Sequence, residues 1–417
     1  MALMTSVEPT AKRHIIILGG GYAGMLAAAR IGRSLPKIGS RDWQVTLIEP
    51  KAEFTQRIRL HEVMAGRTLK TIHIGESLGR QNVNWCQGKV TQWDADKKQL
   101  RVQSVDGKSV DMSYEYLVYA LGSHVTELPF QSDQSLPVTR LNSLEAAKSL
   151  HQRLVTSAAQ QQILVVGAGL TGIESASEIA EAFPQHRVKL IINKNSWNCF
   201  SQLGRDHLFA TMAKLGVELL QEDSLMVTAI KEQQVYFSDG RAEAFQEIIW
   251  CGGFKANELA QQLKLPLDDL GRLPVDEQLR LPSHPEVFVA GDAAAVSQIN
   301  KATIRMGCAA AMPQGIYVGE TIIKTIRKQP IKPFRFAFMM RCISLGRKDA
   351  LIQFTGYADQ PKEKIWQGRR GRWTKEIICR MTLAMIDWEL KWGIPLYSWP
   401  EPPKSIKESK RNMMVNM

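Results

Sequence analysis

Cysteine is scarce in this chain and scattered: six residues in 417, at Cys86, Cys199, Cys251, Cys308, Cys342 and Cys379, with no Cys-x-x-Cys or Cys-x4-Cys pair. That spacing argues against a structural zinc site and a local redox disulfide, and it suits a reducing compartment. Long apolar runs are missing too. None reaches the roughly 20 residues that a spanning helix needs, and Met1 to Arg13 holds no apolar stretch of the signal-peptide kind. The protein is therefore expected to be neither secreted nor transmembrane. No low-complexity tract or short-period repeat interrupts it, and 44% hydrophobic with 23% charged residues is the composition of a folded globular chain. At 417 residues two or three domains are expected.

Positive charge is in excess. The net charge is +12, and residues 361–417 hold 12 Lys and Arg against 6 Asp and Glu, half of the excess. Charge gathered in one place points to an anionic partner, nucleic acid or anionic lipid. No nucleic-acid recognition motif accompanies it, so nucleic acid is not expected.

The most organised stretch runs from His14 to Glu49. Ile15, Ile16, Ile17 and Leu18 form an apolar run without polar alternation, as in a central parallel strand buried on both faces. Gly19, Gly21 and Gly24 then spell Gly-x-Gly-x-x-Gly, with Tyr22 and Ala23 inside the turn and the helix-forming run Met25 to Arg30 directly after it. That order brings free backbone N–H groups and the positive end of a helix dipole against a pyrophosphate. A second apolar strand, Val45 to Ile48, ends in Glu49 and Pro50. A carboxylate there accepts both hydroxyl protons of an adenosine ribose and repels a 2′-phosphate. A lone glycine motif is weak, because tight turns cap ordinary helices; the flanking strands and the terminal acid make this one a dinucleotide site.

Phe54 to Gly66 follows, with Arg57, Arg59 and His61 at alternate positions. It reads first as a surface helix or loop with solvated charges. The second reading sets it against the cofactor, with an arginine such as Arg57 meeting the phosphates. Short strands and the Asp106-Gly107 turn predict a β-meander insertion. Tyr114 to Gly122 is another buried strand entering a glycine turn, where Ala120, Leu121 and Gly122 allow the backbone close to a bound cofactor.

From Leu141 a helical stretch is predicted, with Leu144, Ala147, Leu150 and Leu154 three or four apart, and then the first pattern returns. Ile163 to Val166 is the strand, Gly167, Gly169 and Gly172 the turn, Ile173 to Ala182 the helix and Val188 to Ile192 the second strand. Two dinucleotide folds imply two dinucleotides, between which electrons can pass. The ribose acid is missing from the second copy: Ile192 stands where Glu49 does, and Asn193 and Lys194 follow. Nothing excludes a 2′-phosphate there and Lys194 could attract one, a slight tilt to NADPH, while Asn193 can still bond a ribose hydroxyl. Glu174, two residues past Gly172, reads either as one of a solvated pair with Glu178 or as a group touching the nicotinamide end. Ile248 to Gly252 repeats the strand-to-glycine ending, with Gly252 near the cofactor and Cys251 as a small buried residue. Val287 to Asp292 is a buried strand ending in Gly291-Asp292, where an aspartate would hold a ribityl hydroxyl of a flavin.

In combination, Gly19, Gly21 and Gly24 with Glu49, YEYLVYALGS, GAGLTGIE with Glu174, WCGG and VFVAGDAA resemble the two-dinucleotide-binding flavoproteins of the pyridine nucleotide-disulfide oxidoreductase superfamily, and among them the type II NADH dehydrogenases. The resemblance covers about Lys12 to Arg327, with a looser match at Ser344 to Arg347. It implies an α/β fold of two Rossmann-like domains: an FAD domain (11–127 and 259–328) with an inserted NAD(P)H domain (128–258), then a C-terminal α-rich segment (329–417). FAD would lie in the first domain, held at its ends by Glu49 and Asp292 and touching Met312, and NADH or NADPH in the second. Two features depart from the superfamily. Phe54 to Gly66 lacks the cysteine pair of its disulfide reductases, so dithiol chemistry is not expected. The quinone-side motif of the type II group, Ala-Gln-x-x-x-Gln, is replaced by Cys308 to Pro313, with Gln314 one residue late. Cys308 reads first as a small buried side chain and second as a thiol reacting with flavin or substrate, in the manner of the sulfide:quinone branch, with Cys342 as a possible companion.

Lys364 to Trp392 is the other informative stretch. Trp366, Trp373, Ile377, Met381, Ala384, Met385, Trp388 and Trp392 make an apolar stripe at helical spacing, and Arg369, Arg370, Arg372, Lys375 and Arg380 charge its first half. Such a helix lies in a membrane interface among anionic headgroups, or else packs on the protein body or in a homodimer. Beyond Pro400 the tail is expected to be disordered. The function implied is hydride transfer from NAD(P)H to FAD and electron transfer on to a quinone or other small aromatic acceptor, in the cytoplasm or at the inner face of its membrane. Glu174 and Cys308 are the candidate catalytic residues, no metal is expected, and a helix starting near Arg305 would aim its positive end at the reduced flavin. The alternatives are a soluble ferredoxin-type reductase, a sulfide:quinone-like thiol oxidoreductase, and a flavin-stabilised interaction protein resembling apoptosis-inducing factor.

Overall fold

The computed structural model describes residues 12–39, 42–128, 130, 136–157, 159–222, 226–297, 304–395 and 397–402, with backbone alone at 193–195 and 222. The β-branched run becomes the strand Arg13–Leu18, at the centre of a six-stranded sheet. It pairs in parallel with Trp43–Ile48 on one side, Ile15 opposite Val45, and with Tyr116–Tyr119 on the other. Asn84–Cys86 extends the first side, and His284–Val289 the second. The chain thus leaves this sheet after Tyr119 and returns to it at 280–289. In between, five parallel strands form a second sheet, in the order Glu218–Glu222, Arg187–Asn193, Gln162–Val166, Glu247–Trp250, Val138–Arg140. Central strands buried on both faces explain the unbroken apolar runs. The predicted meander is present as Gly88–Asp94, Gln99–Ser104 and Ser109–Ser113.

Helix Tyr22–Lys37 covers the first sheet, and helix Cys308–Ile326 crosses it at short range. A Cβ at Gly315 would stand 2.2 Å from the Ala23 carbonyl oxygen, so the crossing needs glycine there. Helix Leu144–Thr156 buries Ala147, Leu150 and Leu154, as its spacing predicts.

The C-terminal segment holds more strand than the sequence suggests. Met340–Leu345, Asp349–Thr355 and Pro361–Trp366 form an antiparallel sheet, and one helix, Gly368–Trp392, follows. The helix expected from Lys364 therefore starts later, because Ile365 and Trp366 pair with Gln353 and Ile352 in the sheet and Gly368, at φ +62°, turns the chain. Trp366 leaves the stripe. Gly371, Cys379, Ile386 and Leu390 face inward, with Gly371 so close to Ala350 that a Cβ would stand 2.1 Å from its carbonyl oxygen. Near its end Glu389 pairs with the buried Arg30 of the first motif helix, and Gln81 donates to the Leu390 carbonyl at 2.6 Å. Among the described residues no helix is long and apolar enough to cross a membrane.

Candidate active site

The two glycine turns are built alike. Gly19 and Gly167 have φ of +98° and +100°, a region that favours glycine. A Cβ on Gly24 would stand 1.9 Å from the Gly19 carbonyl oxygen, and one on Gly172 would stand 1.8 Å from that of Gly167. Gly21 and Gly169 cap the two helices with no side-chain hydrogen bond, and a Cβ on either meets nothing within 4 Å. Each turn is thus a tight backbone loop under an open, uncapped helix N-terminus, which fits a pyrophosphate. Ala120 and Cys251 are counterparts, their N–H groups donating to Leu18 at 2.9 Å and Val166 at 2.8 Å. Burial pushes the Cys251 thiol up to about 12, so it serves as a small apolar side chain.

Around the first turn, Glu49 accepts the Gly20 N–H at 2.8 Å and the Lys51 N–H at 3.1 Å, which fixes its carboxylate at the lip of the loop. Pro50 follows it, its carbonyl accepting from Gln87 at 3.1 Å. Tyr22 is buried with its ring edge-on to Phe54 at 5.0 Å, and Ala23 packs under Gly291. Asp292 accepts from the Ser123 hydroxyl at 2.6 Å and the Gly307 N–H at 2.7 Å, while Gln314 accepts the Gly291 N–H at 2.7 Å. The displaced glutamine is therefore occupied in shaping the Gly-Asp turn. Gly122, at φ +66°, accepts from Asn257 at 3.2 Å. Arg57 donates to the Ser123 carbonyl at 2.5 Å and lies over the Phe254 ring. Met312 is buried on the crossing helix. In the second unit Gly252 stands against Gly167, and the side chains of Asn193 and Lys194 lie outside the described residues.

The segment after the first motif departs from its first reading. Arg59, His61 and Glu62 are each 3% exposed or less, so their charges are not solvated. They face the second motif helix and the C-terminal helix. Glu174 receives the Lys375 ammonium at 2.7 Å and the Ser344 N–H at 3.1 Å, and His61 Nδ1 lies 3.4 Å from its other oxygen. Lys375, read as a member of a cationic surface, has a side chain only 12% exposed. It lies on the same face as Gly371 and Cys379, so helical period turns it inward. Burial works against both charges, but the neighbours of each together outweigh it: Lys375, beside Glu174, is raised above the ordinary lysine range, and Glu174 is lowered by His61, Lys375 and the Ser344 N–H. Glu178, one turn along, is not solvated either; burial raises it to about 8 although Arg347 lies 3.1 Å away. Neither His61 nor Lys375 carries a sequence signal of this role, since each sits in a charged run.

Cys308 is the first residue of its helix, which starts after Gly307, three residues past Arg305. Arg305 instead pairs with Asp359 at 2.7 Å and lies over the Phe338 ring at 4.2 Å. All six cysteines are free. Burial holds Cys308 at about 11 and Cys342 at about 12 despite the nearby Lys375, so both stay thiols at neutral pH.

Two nucleotide folds, each presenting an open helix N-terminus, with a buried charge pair beside the second, define an oxidoreductase that handles two dinucleotides. The chain belongs to the family of pyridine nucleotide-disulphide oxidoreductases, which matches residues 13–315. FAD is its cofactor and NAD(P)H its substrate. An NADH dehydrogenase-like protein of Mycobacterium tuberculosis is 30% identical over 386 residues, 88% of this chain and 92% of that one. Demethylphylloquinone reductase NdbB of Synechocystis is 25% identical, covering 85% and 88%. The structure of NDH2 from Plasmodium falciparum in complex with NADH shares the fold, with TM-score 0.75 at 16% identity, covering 93% of this chain and 100% of that one.

Proposed function

We propose that this chain is an NAD(P)H:quinone oxidoreductase of the type II NADH dehydrogenase kind. The observation that carries the reading is the pair of matching glycine turns, each under an uncapped helix, with Glu49 and Asp292 at the lips of the first. The names of its relatives, a demethylphylloquinone reductase among them, support a quinone as acceptor. Bound FAD supplies the two-electron relay between nicotinamide and acceptor. The chain supplies position. Residues 11–127 and 259–328 form the flavin domain, where the open helix N-terminus after Gly21 holds the pyrophosphate, Glu49 the ribose and Asp292 the ribityl chain. Tyr22, Ala23, Pro50, Arg57, Ala120, Gly122, Gly291 and Met312 wall the site. Residues 128–258 hold NAD(P)H through Gly167, Gly169, Gly172, Gly252, Asn193 and Lys194. Glu174, locked by Lys375, borders the nicotinamide end. Stopped-flow mixing of the yellow protein with NADH or NADPH, then with a short-chain quinone, tests this. Fast reduction followed by fast reoxidation is expected; reduction that no quinone reverses would sink the quinone assignment.

The C-terminal helix is proposed as a peripheral membrane contact. Trp373, Ile377, Met381, Trp388 and Trp392 stay on its outer face, from 48% exposed at Trp388 to 72% at Trp392. Exposed indoles in a row, with Arg369 and Arg372 beside them, suit an anionic interface. Trp373→Asp with Trp388→Asp is expected to abolish sedimentation with anionic vesicles. A stripe that instead joins two copies would give a dimer in solution that the same changes split.

A further inference from the structure

Reduction of a quinone to a hydroquinone takes two electrons and two protons, whereas NAD(P)H supplies two electrons and one proton. Each turnover must therefore draw one proton from solvent, a requirement that rests on the quinone reading above. Glu174 is sealed from solvent by Lys375, Ser344 and His61. Lys375 takes one oxygen of this carboxylate, and the imidazole of His61 stands at the other. Its Nδ1 meets Glu174 at 3.4 Å, while Nε2 has no hydrogen-bond partner and lies 4.0 Å from the Glu62 carboxylate. An unpartnered imidazole nitrogen in the interior normally costs stability, and a role in passing protons accounts for keeping it.

The route continues outward. Glu62 lines a small cavity with Arg347, Lys375 and Glu376, of about 10 Å³, close to the room one water needs. Arg67 and Arg347, the outer members of this cluster, are 35% and 41% exposed, so the cavity lies just under the surface. We propose that His61 is a proton-relay residue, carrying the solvent proton of each turnover from the Glu62 side of this cavity to Glu174, and thence to the acceptor. The groups facing the imidazole are Glu174 from the second motif helix, Lys375 from the C-terminal helix, Arg347 from the C-terminal sheet and Glu62 from its own segment. Burial, ahead of the opposing pull of Glu174, lowers the His61 pKa, which keeps the ring neutral at rest and able to accept a proton at Nε2 as it gives one up from Nδ1.

The test separates proton from electron delivery. Ferricyanide takes electrons without protons, so His61→Gln in the flavin-loaded protein should lower quinone turnover about a hundredfold, the scale of a lost proton-transfer group, and leave ferricyanide turnover within about twofold. Equal losses with both acceptors would make His61 a structural residue, and no loss with either would leave it no role; both results overturn the relay. If the unmodified protein reduces ferricyanide but no quinone, the quinone reading fails and takes the relay with it. Should His61→Gln not fold, ¹⁵N-histidine NMR of the unmodified protein decides. A neutral ring with its proton on Nδ1 at pH 7 is expected, and a permanent imidazolium would overturn the proposal.

Discussion

Lys375 and Glu174 are 201 positions apart in the chain and 2.7 Å apart in space. The pair joins the C-terminal helix to the second turn of the second motif helix, and it places a full charge pair where solvent scarcely reaches. Removing one partner strands the other. Lys375→Met is expected to cost about 3–5 kcal/mol of stability, because a buried carboxylate then lacks its counter-charge. Changing Glu174→Met as well should recover most of it. Denaturant midpoints of the two variants check this, and a harmless single change would mean that the pair carries no such energy.

The glycine turns predict separable losses. Gly24→Ala sets a methyl group against the Gly19 carbonyl, and Gly172→Ala does the same against that of Gly167. Overpacking of this kind costs about 1–3 kcal/mol, which at about 1.4 kcal/mol per decade is roughly fivefold to a hundredfold in affinity. Gly24→Ala should yield protein depleted of flavin absorbance. Gly172→Ala should keep its colour and show a raised KM for NAD(P)H. Loss of flavin from both would break the assignment of one nucleotide to each turn.

Glu178 predicts a pH dependence of stability. Its folded pKa, about 8, lies above the ordinary 4.5, so the folded protein holds a proton that the unfolded chain releases. Its share of stability is complete below about 4.5 and drains away as pH rises to about 8, by an amount on the order of a few kcal/mol. Glu178→Gln removes the titration. Melting curves at pH 5 and pH 9 should differ less in the variant, with its gain at pH 9; an unchanged difference would contradict the raised pKa.

Cys308 separates the quinone reading from thiol chemistry. A thiol held at about 11 is almost wholly protonated at neutral pH and a poor nucleophile. Cys308→Ala should therefore keep quinone turnover within about twofold. A loss of turnover with sulfide as donor, on a protein that oxidises sulfide before the change, would favour the sulfide:quinone branch instead.

Both nucleotide folds are legible in the sequence, and the reason is local. Four apolar residues, a glycine turn and a helix signal occupy neighbouring positions, so sterics and period alone specify strand, loop and helix at Ile15 to Arg30 and again at Ile163 to Ala182. Asp292, at the end of an apolar strand, is readable in the same way. The C-terminal sheet is not: Ile365 and Trp366 fit a helical stripe as well as a strand, and only pairing with Gln353 and Ile352 decides between them.

The charged residues show the sharper limit. Arg59, His61 and Glu62 read as solvated, and Lys375 as part of a membrane-facing cationic row, because residue type alone says nothing of which face is covered. What the sequence by itself determined is the two dinucleotide frames and the residues that make their turns. Tertiary structure alone decided that His61, Glu174 and Lys375 meet, since a buried charge is tolerable only where partners from distant segments arrive together, and that arrival is a property of the packed chain.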